Sequence, residues 1–164
     1  MVEKAFEVGI VKPAYIGSTA LVALVHENKL YIANLGHSKA ALLREIKGSE
    51  VMYESIKVTK THHISNPEEA GKFKKLVPKD LDAIKGNKIM GVVSSTRSLG
   101  NSWLKLAKIA GHSYEPMVNL KMPIKNFKKA MLSNEPEISI IDLTESDRWL
   151  VLATDGMWQN LPRR

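Results

Sequence analysis

The sequence predicts an α+β fold in which antiparallel β-sheets pack face to face with helices outside. Short apolar stretches follow one another with only polar or glycine-bearing turns between them, and the strand-helix alternation of a parallel sheet is missing. The strongest stretch comes last: Trp149-Leu150-Val151-Leu152-Ala153 runs into Thr154-Asp155-Gly156, the pattern of a buried strand that ends in a turn. A carboxylate at such a corner is held by rigid backbone and suits a metal or a catalytic step, although Asp-Gly is also ordinary turn chemistry.

Taken in order, residues 1–16 hold a weak helical pattern, Val2, Phe6 and Ile10, cut by Gly9 and Pro13. They are expected to form a short helix or arm leading into the domain of residues 17–164. Residues 18–25 and 30–35 read as strands, and the four polar residues His26-Glu27-Asn28-Lys29 join them as a hairpin. The corner Gly36-His37-Ser38-Lys39 breaks the pattern before a third strand at residues 40–44. His37 is placed there either to reach a site or to lie as plain surface. Residues 51–58 read as a further strand.

A helix is expected to open at Asn66-Pro67-Glu68-Glu69 and run through residue 75, because proline fits the first turn, acids suit the N-terminal end and lysines the C-terminal end. The adjacent His62 and His63 would point to opposite faces of a strand, which argues against one shared metal ion. Residues 78–88 read as a polar loop and residues 88–95 as a strand. In the tight turn Thr96-Arg97-Ser98-Leu99-Gly100-Asn101 the arginine either binds an anion or pairs with a surface acid. Trp103, Leu104, Leu106 and Ile109 have helical spacing that points to packing. Spaced breakers across residues 111–136 surround Lys121, Lys125, Lys128 and Lys129, the mark of an irregular insertion or flap. Residues 137–143 alternate apolar and polar and read as the penultimate strand.

At 164 residues the chain is one domain by length, with enough material to bury a core. It contains no cysteine, which excludes disulfides, thiolate zinc sites and iron-sulfur clusters and leaves oxygen or imidazole for any metal. The net charge of +7 suits an acidic partner, whether protein, RNA or anionic lipid. The lysines are nonetheless spread out and lack interleaved aromatics, so they read mainly as solvated surface. No apolar run approaches the roughly 20 residues that span a bilayer. Glu3 and Glu7 beside Lys4 and Lys12 make the N-terminus a poor secretory signal or transit peptide. The compartment stays open, with the cytoplasm favoured over an organelle such as the mitochondrion.

Four stretches together resemble the metal-dependent protein Ser/Thr phosphatases of the type-2C (PPM) family. They are Gly17-Ser18-Thr19-Ala20, Ala33-Asn34-Leu35-Gly36-His37-Ser38-Lys39-Ala40, Ser95-Thr96-Arg97-Ser98-Leu99-Gly100-Asn101, and Leu150-Val151-Leu152-Ala153-Thr154-Asp155-Gly156-Met157-Trp158. They follow the family's order and span about residues 17–161. The resemblance implies a β-sandwich of two antiparallel sheets flanked by helices, with a pair of Mg²⁺ or Mn²⁺ ions in a cleft at one edge. It also implies the family's chemistry, a metal-bridging water attacking a phosphoryl group with help from an arginine.

This chain departs from that pattern at the acids. Two close dications repel, so several carboxylates must neutralise them. The family's Gly-Asp-Ser-Arg corner is here Gly36-His37-Ser38-Lys39, its Asp-His pair is His62-His63, its Leu-Gly-Asp turn is Leu99-Gly100-Asn101, and the acid four residues after Asp155 is Gln159. Asp155 is the one metal-type carboxylate left; were another chain to supply the missing acids, Asp155 would be a ligand and Arg97 a phosphate contact. The N-terminal third of the family, with its acidic pair and Asp-Gly-His-Gly motif, and the C-terminal Asp-Asn motif find no counterpart. The expectation is therefore a degenerate phosphatase domain with no catalytic residue and no bound metal, serving as a structural or scaffolding subunit. Its exposed sheet edges would be covered by other protein subunits, and its basic surface would meet an acidic protein or RNA. The rival expectations are a Mg- or Mn-dependent phosphatase completed by another chain, and a phosphopeptide-binding module in which His37, Asn101 and Gln159 hydrogen-bond a phosphate.

Overall fold

The computed structural model describes residues 1–48, 52–77, 83–110 and 129–161. In chain order the elements begin with α1 (Val2–Glu7), α2 (Lys12–Tyr15), β1 (Gly17–Ser18), β2 (Ala20–His26), β3 (Lys29–Leu35), β4 (Lys39–Ile46), β5 (Met52–Lys57) and α3 (Pro67–Leu76). Then come β6 (Ile84–Lys85), β7 (Lys88–Ile89), β8 (Leu99–Gly100), a 3-10 turn (Ser102–Leu104), α4 (Ala107–Ala110), β9 (Glu137–Asp142), β10 (Asp147–Ala153) and α5 (Asp155–Trp158). They belong to two compact units, one of Met1–Thr19 with His62–Asn134 and the other of Ala20–Thr61 with Glu135–Arg164.

The second unit is the sandwich that the apolar periodicity predicts. One antiparallel sheet has the order β2-β3-β9 and the other β10-β4-β5. Alternation turns Leu30 and Ile32 of β3, and Ala40 and Leu42 of β4, into a shared core with Val58, while Leu21, Ala23, Ile141 and Leu150 pack around it. Each large apolar side chain buried this way contributes about 1.5–3 kcal/mol. The β2–β3 hairpin is tighter than its four polar residues imply. His26 pairs with Lys29 in the ladder, so only Glu27 and Asn28 form the turn, and Glu27 takes a positive φ of 52°.

The last strand departs from expectation. β10 forms where residues 149–153 predict it, but Trp149 is 62% exposed and Leu152 is 40% exposed. The physical reason is its place in the sheet: β10 pairs with β4 alone among the described residues, so only one of its flanks is covered by a neighbouring strand. Val51, the first residue of the expected fourth strand, lies outside the described residues, and the remainder forms β5 on the other side of β4.

The first unit is built from short pieces around large side chains. Trp103, Phe73, Leu104, Ile109 and Met131 are buried, and Tyr15 stacks on Trp103 with ring centroids 6.0 Å apart. Pro13 opens α2 instead of ending a helix, because it falls in the first turn where its missing N–H costs nothing. α3 starts as the sequence predicts, with the Asn66 side chain accepting from the Glu68 N–H at 3.0 Å and Pro67 in the first turn. The expected strand across 88–95 is interrupted after Ile89, where Met90 adopts φ 51° and the chain turns back so that Ile89 and Val93 bridge each other. What reads as loop before it ends in the small hairpin β6–β7; residues 78–82 lie outside the described residues. So do residues 111–128 of the expected insertion, with Lys121, Lys125 and Lys128. Residues 129–136 hold no helix or strand. Among the described residues no helix is long and apolar enough to cross a membrane.

Candidate functional site

The six positions singled out from the sequence divide evenly: His37, Asp155 and Gln159 belong to the second unit, and His62, Arg97 and Asn101 to the first. Within the second unit the chain folds so that the corner after β3 meets the end of β10. The Trp158 indole N–H fixes this arrangement by donating to the carbonyls of Ala153 at 2.9 Å and Lys39 at 3.2 Å. The short helix α5 is thereby tied to both strands. His37 and Asp155 face each other, with Nδ1 3.4 Å from Oδ2, and Gln159 Nε2 reaches the same Oδ2 at 3.5 Å. Burial pushes the His37 pKa down and Lys39 adds to this, while Asp155 pulls the other way without restoring the ordinary value.

In the first unit the three positions are tied into the fold. Arg97 does not present its guanidinium as an open anion site, nor does it meet a surface acid: it holds the buried Glu69 of α3, with Nη2 to Oε1 at 2.7 Å and Nε to Oε2 at 3.2 Å. Thr96 Oγ1 donates to the same carboxylate at 2.6 Å and Lys72 Nζ lies 3.3 Å away. Burial alone would raise the Glu69 pKa, but the bonds from Arg97 and Thr96 and the arginine charge outweigh it and bring the group down to about 2. The sequence flagged Glu69 only as a first-turn helix acid. Its position on the inward side of α3, one turn before the buried Phe73, was the signal that it needed a partner.

Asn101 is buried, adopts a left-handed φ of 50°, and donates from Nδ2 to Ser98 Oγ at 3.0 Å. Its amide fills the space beside the backbone of Gly17, which is why that position in the β1–β8 pairing takes no side chain. At Gly100, φ is 65° and an added Cβ would meet the carbonyl of Ile16. His62 is fully buried, and its carbonyl accepts from Ser95 Oγ at 3.0 Å and from the Thr96 N–H at 2.9 Å. His63 points the other way, half-buried, with Nδ1 bonded to Ser65.

Neither set fits a pair of hard dications. The second-unit positions offer one carboxylate, already facing an imidazole and an amide, and the first-unit positions offer none, the nearby Glu69 being held by Arg97. Among the described residues no group of three or more His, Asp or Glu side chains comes together at metal-binding distance.

The two antiparallel sheets of the second unit, with a Thr-Asp-Gly corner at the end of β10, are the arrangement that the resemblance to the metal-dependent phosphatases implies. The protein phosphatase 2C profile matches residues 3–164, and the chain belongs to that family. It is 31% identical over 157 residues to the probable protein phosphatase 2C 79 of Arabidopsis thaliana, a match that covers 92% of this chain and 40% of that protein. It is also 31% identical over 153 residues to the probable protein phosphatase 2C 72 of Oryza sativa subsp. japonica, covering 90% of this chain and 38% of the relative. The chain thus spans about two fifths of the length of the relatives it matches. Among solved structures it resembles a serine-threonine phosphatase 2C from Toxoplasma gondii, at TM-score 0.59 and 19% identity over 98% of this chain and 47% of that one. A Caenorhabditis elegans sex determining protein matches at TM-score 0.65 and 23% identity over 99% of this chain and 32% of that one. These two likenesses establish the fold.

Proposed function

We propose that this phosphatase 2C domain is catalytically inactive and serves as a structural subunit of a larger protein assembly. The observation that carries the reading is the use to which the site positions are put. Arg97 neutralises a buried acid, Asn101 packs over Gly17 and bonds Ser98, and Asp155 is engaged by His37 and Gln159. A binuclear mechanism needs carboxylates around both ions and a guanidinium open to the phosphoryl oxygens. Here His37, His62, Asn101 and Gln159 stand where the resemblance expects acids, and Arg97 is occupied by Glu69. In this reading neither Mg²⁺ nor Mn²⁺ is a resident cofactor, and function resides in binding. Other subunits cover the sheet edges, and the basic surface faces an acidic partner.

Release of phosphate from a small aryl phosphate by the purified chain in Mn²⁺ tests the first half. The expected result is a rate equal to the buffer blank. Turnover that disappears in Asp155→Ala would show a working centre. Sizing chromatography of the native protein tests the second half: it is expected to run in a large stable complex, and a well-behaved free monomer contradicts the subunit role.

A further inference from the structure

Ammonium groups that leave bulk water are ordinarily met by a carboxylate, because burying a charge without one is costly. Lys105 departs from that rule. It follows the 3-10 turn of the first unit, is partly buried, and donates from Nζ to the Ser98 carbonyl at 2.5 Å. Among the described residues no carboxylate meets this amine. The two helices packed against the 3-10 turn, α2 and α4, bring the cations Lys12 and Lys108 and no acid. Glu7 of α1 faces Lys108 at 3.5 Å, and Glu69 is held by Arg97, Thr96 and Lys72. Asn101, four residues before Lys105 and bonded to the Ser98 hydroxyl, is neutral where the resemblance expects an acid. Burial therefore acts unopposed and pushes the Lys105 pKa down.

We propose that Lys105 is a nucleophilic lysine, a modification site for a small activated acyl donor of the thioester class. A lysine becomes a nucleophile when its surroundings disfavour the ammonium, whether by desolvation or by neighbouring cations. The neutral amine attacks the thioester carbonyl carbon, a C–N bond forms, the C–S bond breaks, and the departing thiolate ends with the proton that the nitrogen loses. The setting at Ser98 suits the product as well as the reactant. The resulting amide keeps one N–H, which suffices for the bond to the Ser98 carbonyl, and carries no charge for burial to penalise. Because the residue is only partly buried, a donor as small as an acetyl thioester can reach it.

The test is timed labelling of the folded full chain with S-acetyl-N-acetylcysteamine. The rate at each lysine is read by peptide mass spectrometry across pH, with Nα-acetyl-lysine amide in the same solution as the reference. Lys105 is expected to acetylate faster than the reference at neutral pH, and its rate to level off at a lower pH than the reference's. Unfolding in urea is expected to abolish both differences. Asn101→Asp, which puts a carboxylate on the residue that shares Ser98 with the amine, is expected to slow the reaction at neutral pH and move the profile to higher pH. Lys105→Arg, which keeps a donor for the Ser98 carbonyl, is expected to lose this one label and keep the others. The proposal is overturned by a Lys105 rate at or below the reference at neutral pH, by a profile that coincides with the reference's, or by an advantage that survives in urea. Labelling reads an amine and no phosphate, so its failure leaves the assignment of inactivity standing, and Mn²⁺-dependent turnover would sink that assignment without touching the labelling result.

Discussion

The first unit holds 15 of the 24 basic residues and 7 of the 17 acids, a net charge of +8, while the second holds the other 9 and 10, a net charge of −1. The two also close their cores differently. The second relies on strands of six to eight residues whose alternation sorts side chains inward and outward. The first has strands of only two residues and relies on Trp103, Phe73 and Tyr15, with a buried polar network around Glu69 and Arg97. The contrast extends to the site positions. In the first unit Arg97 and Asn101 are tied into the fold, so altering them is expected to cost stability; in the second, Asp155 and Gln159 lie toward the surface, and altering them is expected to cost little.

The largest effect is expected at Arg97. Arg97→Met leaves Glu69 charged and without its guanidinium in a buried place, and unfolding by urea is expected to show a loss of about 3–5 kcal/mol. An unchanged midpoint would mean that Thr96 and Lys72 suffice. Acid gives a slightly smaller effect. The folded pKa of Glu69 is about 2 against an ordinary 4.5, so its contribution is fully present above pH 4.5 and is lost as pH falls from there toward 2. The loss amounts to about 3 kcal/mol, measurable as a falling urea midpoint that flattens in Glu69→Gln. Asn66→Ala, which removes the cap of α3, is expected to cost about 1 kcal/mol. Asp155→Asn comes last, within about 0.5 kcal/mol of no change, because the side chain is half-exposed and its contacts are long.

The same contrast explains how much of the molecule was legible beforehand. The strands of the second unit follow from period-two runs such as Leu30-Tyr31-Ile32-Ala33 and Ile138-Ser139-Ile140-Ile141, and α3 from its Asn-Pro-Glu-Glu opening. The first unit hides its logic from any periodicity. The break at Met90 depends on a left-handed residue that is not glycine, and the β1–β8 pairing on the fit of Asn101 over Gly17, neither of which a local pattern encodes. The sandwich edge at β10 escaped notice for another reason: Trp149 through Ala153 is apolar enough for a central strand, and composition does not tell which strands lie beside it.

The candidate site was legible as a set of substituted acids and not as a set of contacts. The four motifs bring His37, His62, Asn101 and Gln159 to attention by residue type alone. That Arg97 is held by Glu69, 28 residues away, is a tertiary fact. So is the meeting of His37 with Asp155 across the ends of β3 and β10.

Whether so few acids can gather ions is measured directly by calorimetric titration of the full chain with Mn²⁺. The predicted result is heat no greater than dilution, identical in wild type and Asp155→Ala. Saturable uptake of two ions per chain that vanishes in Asp155→Ala would contradict it.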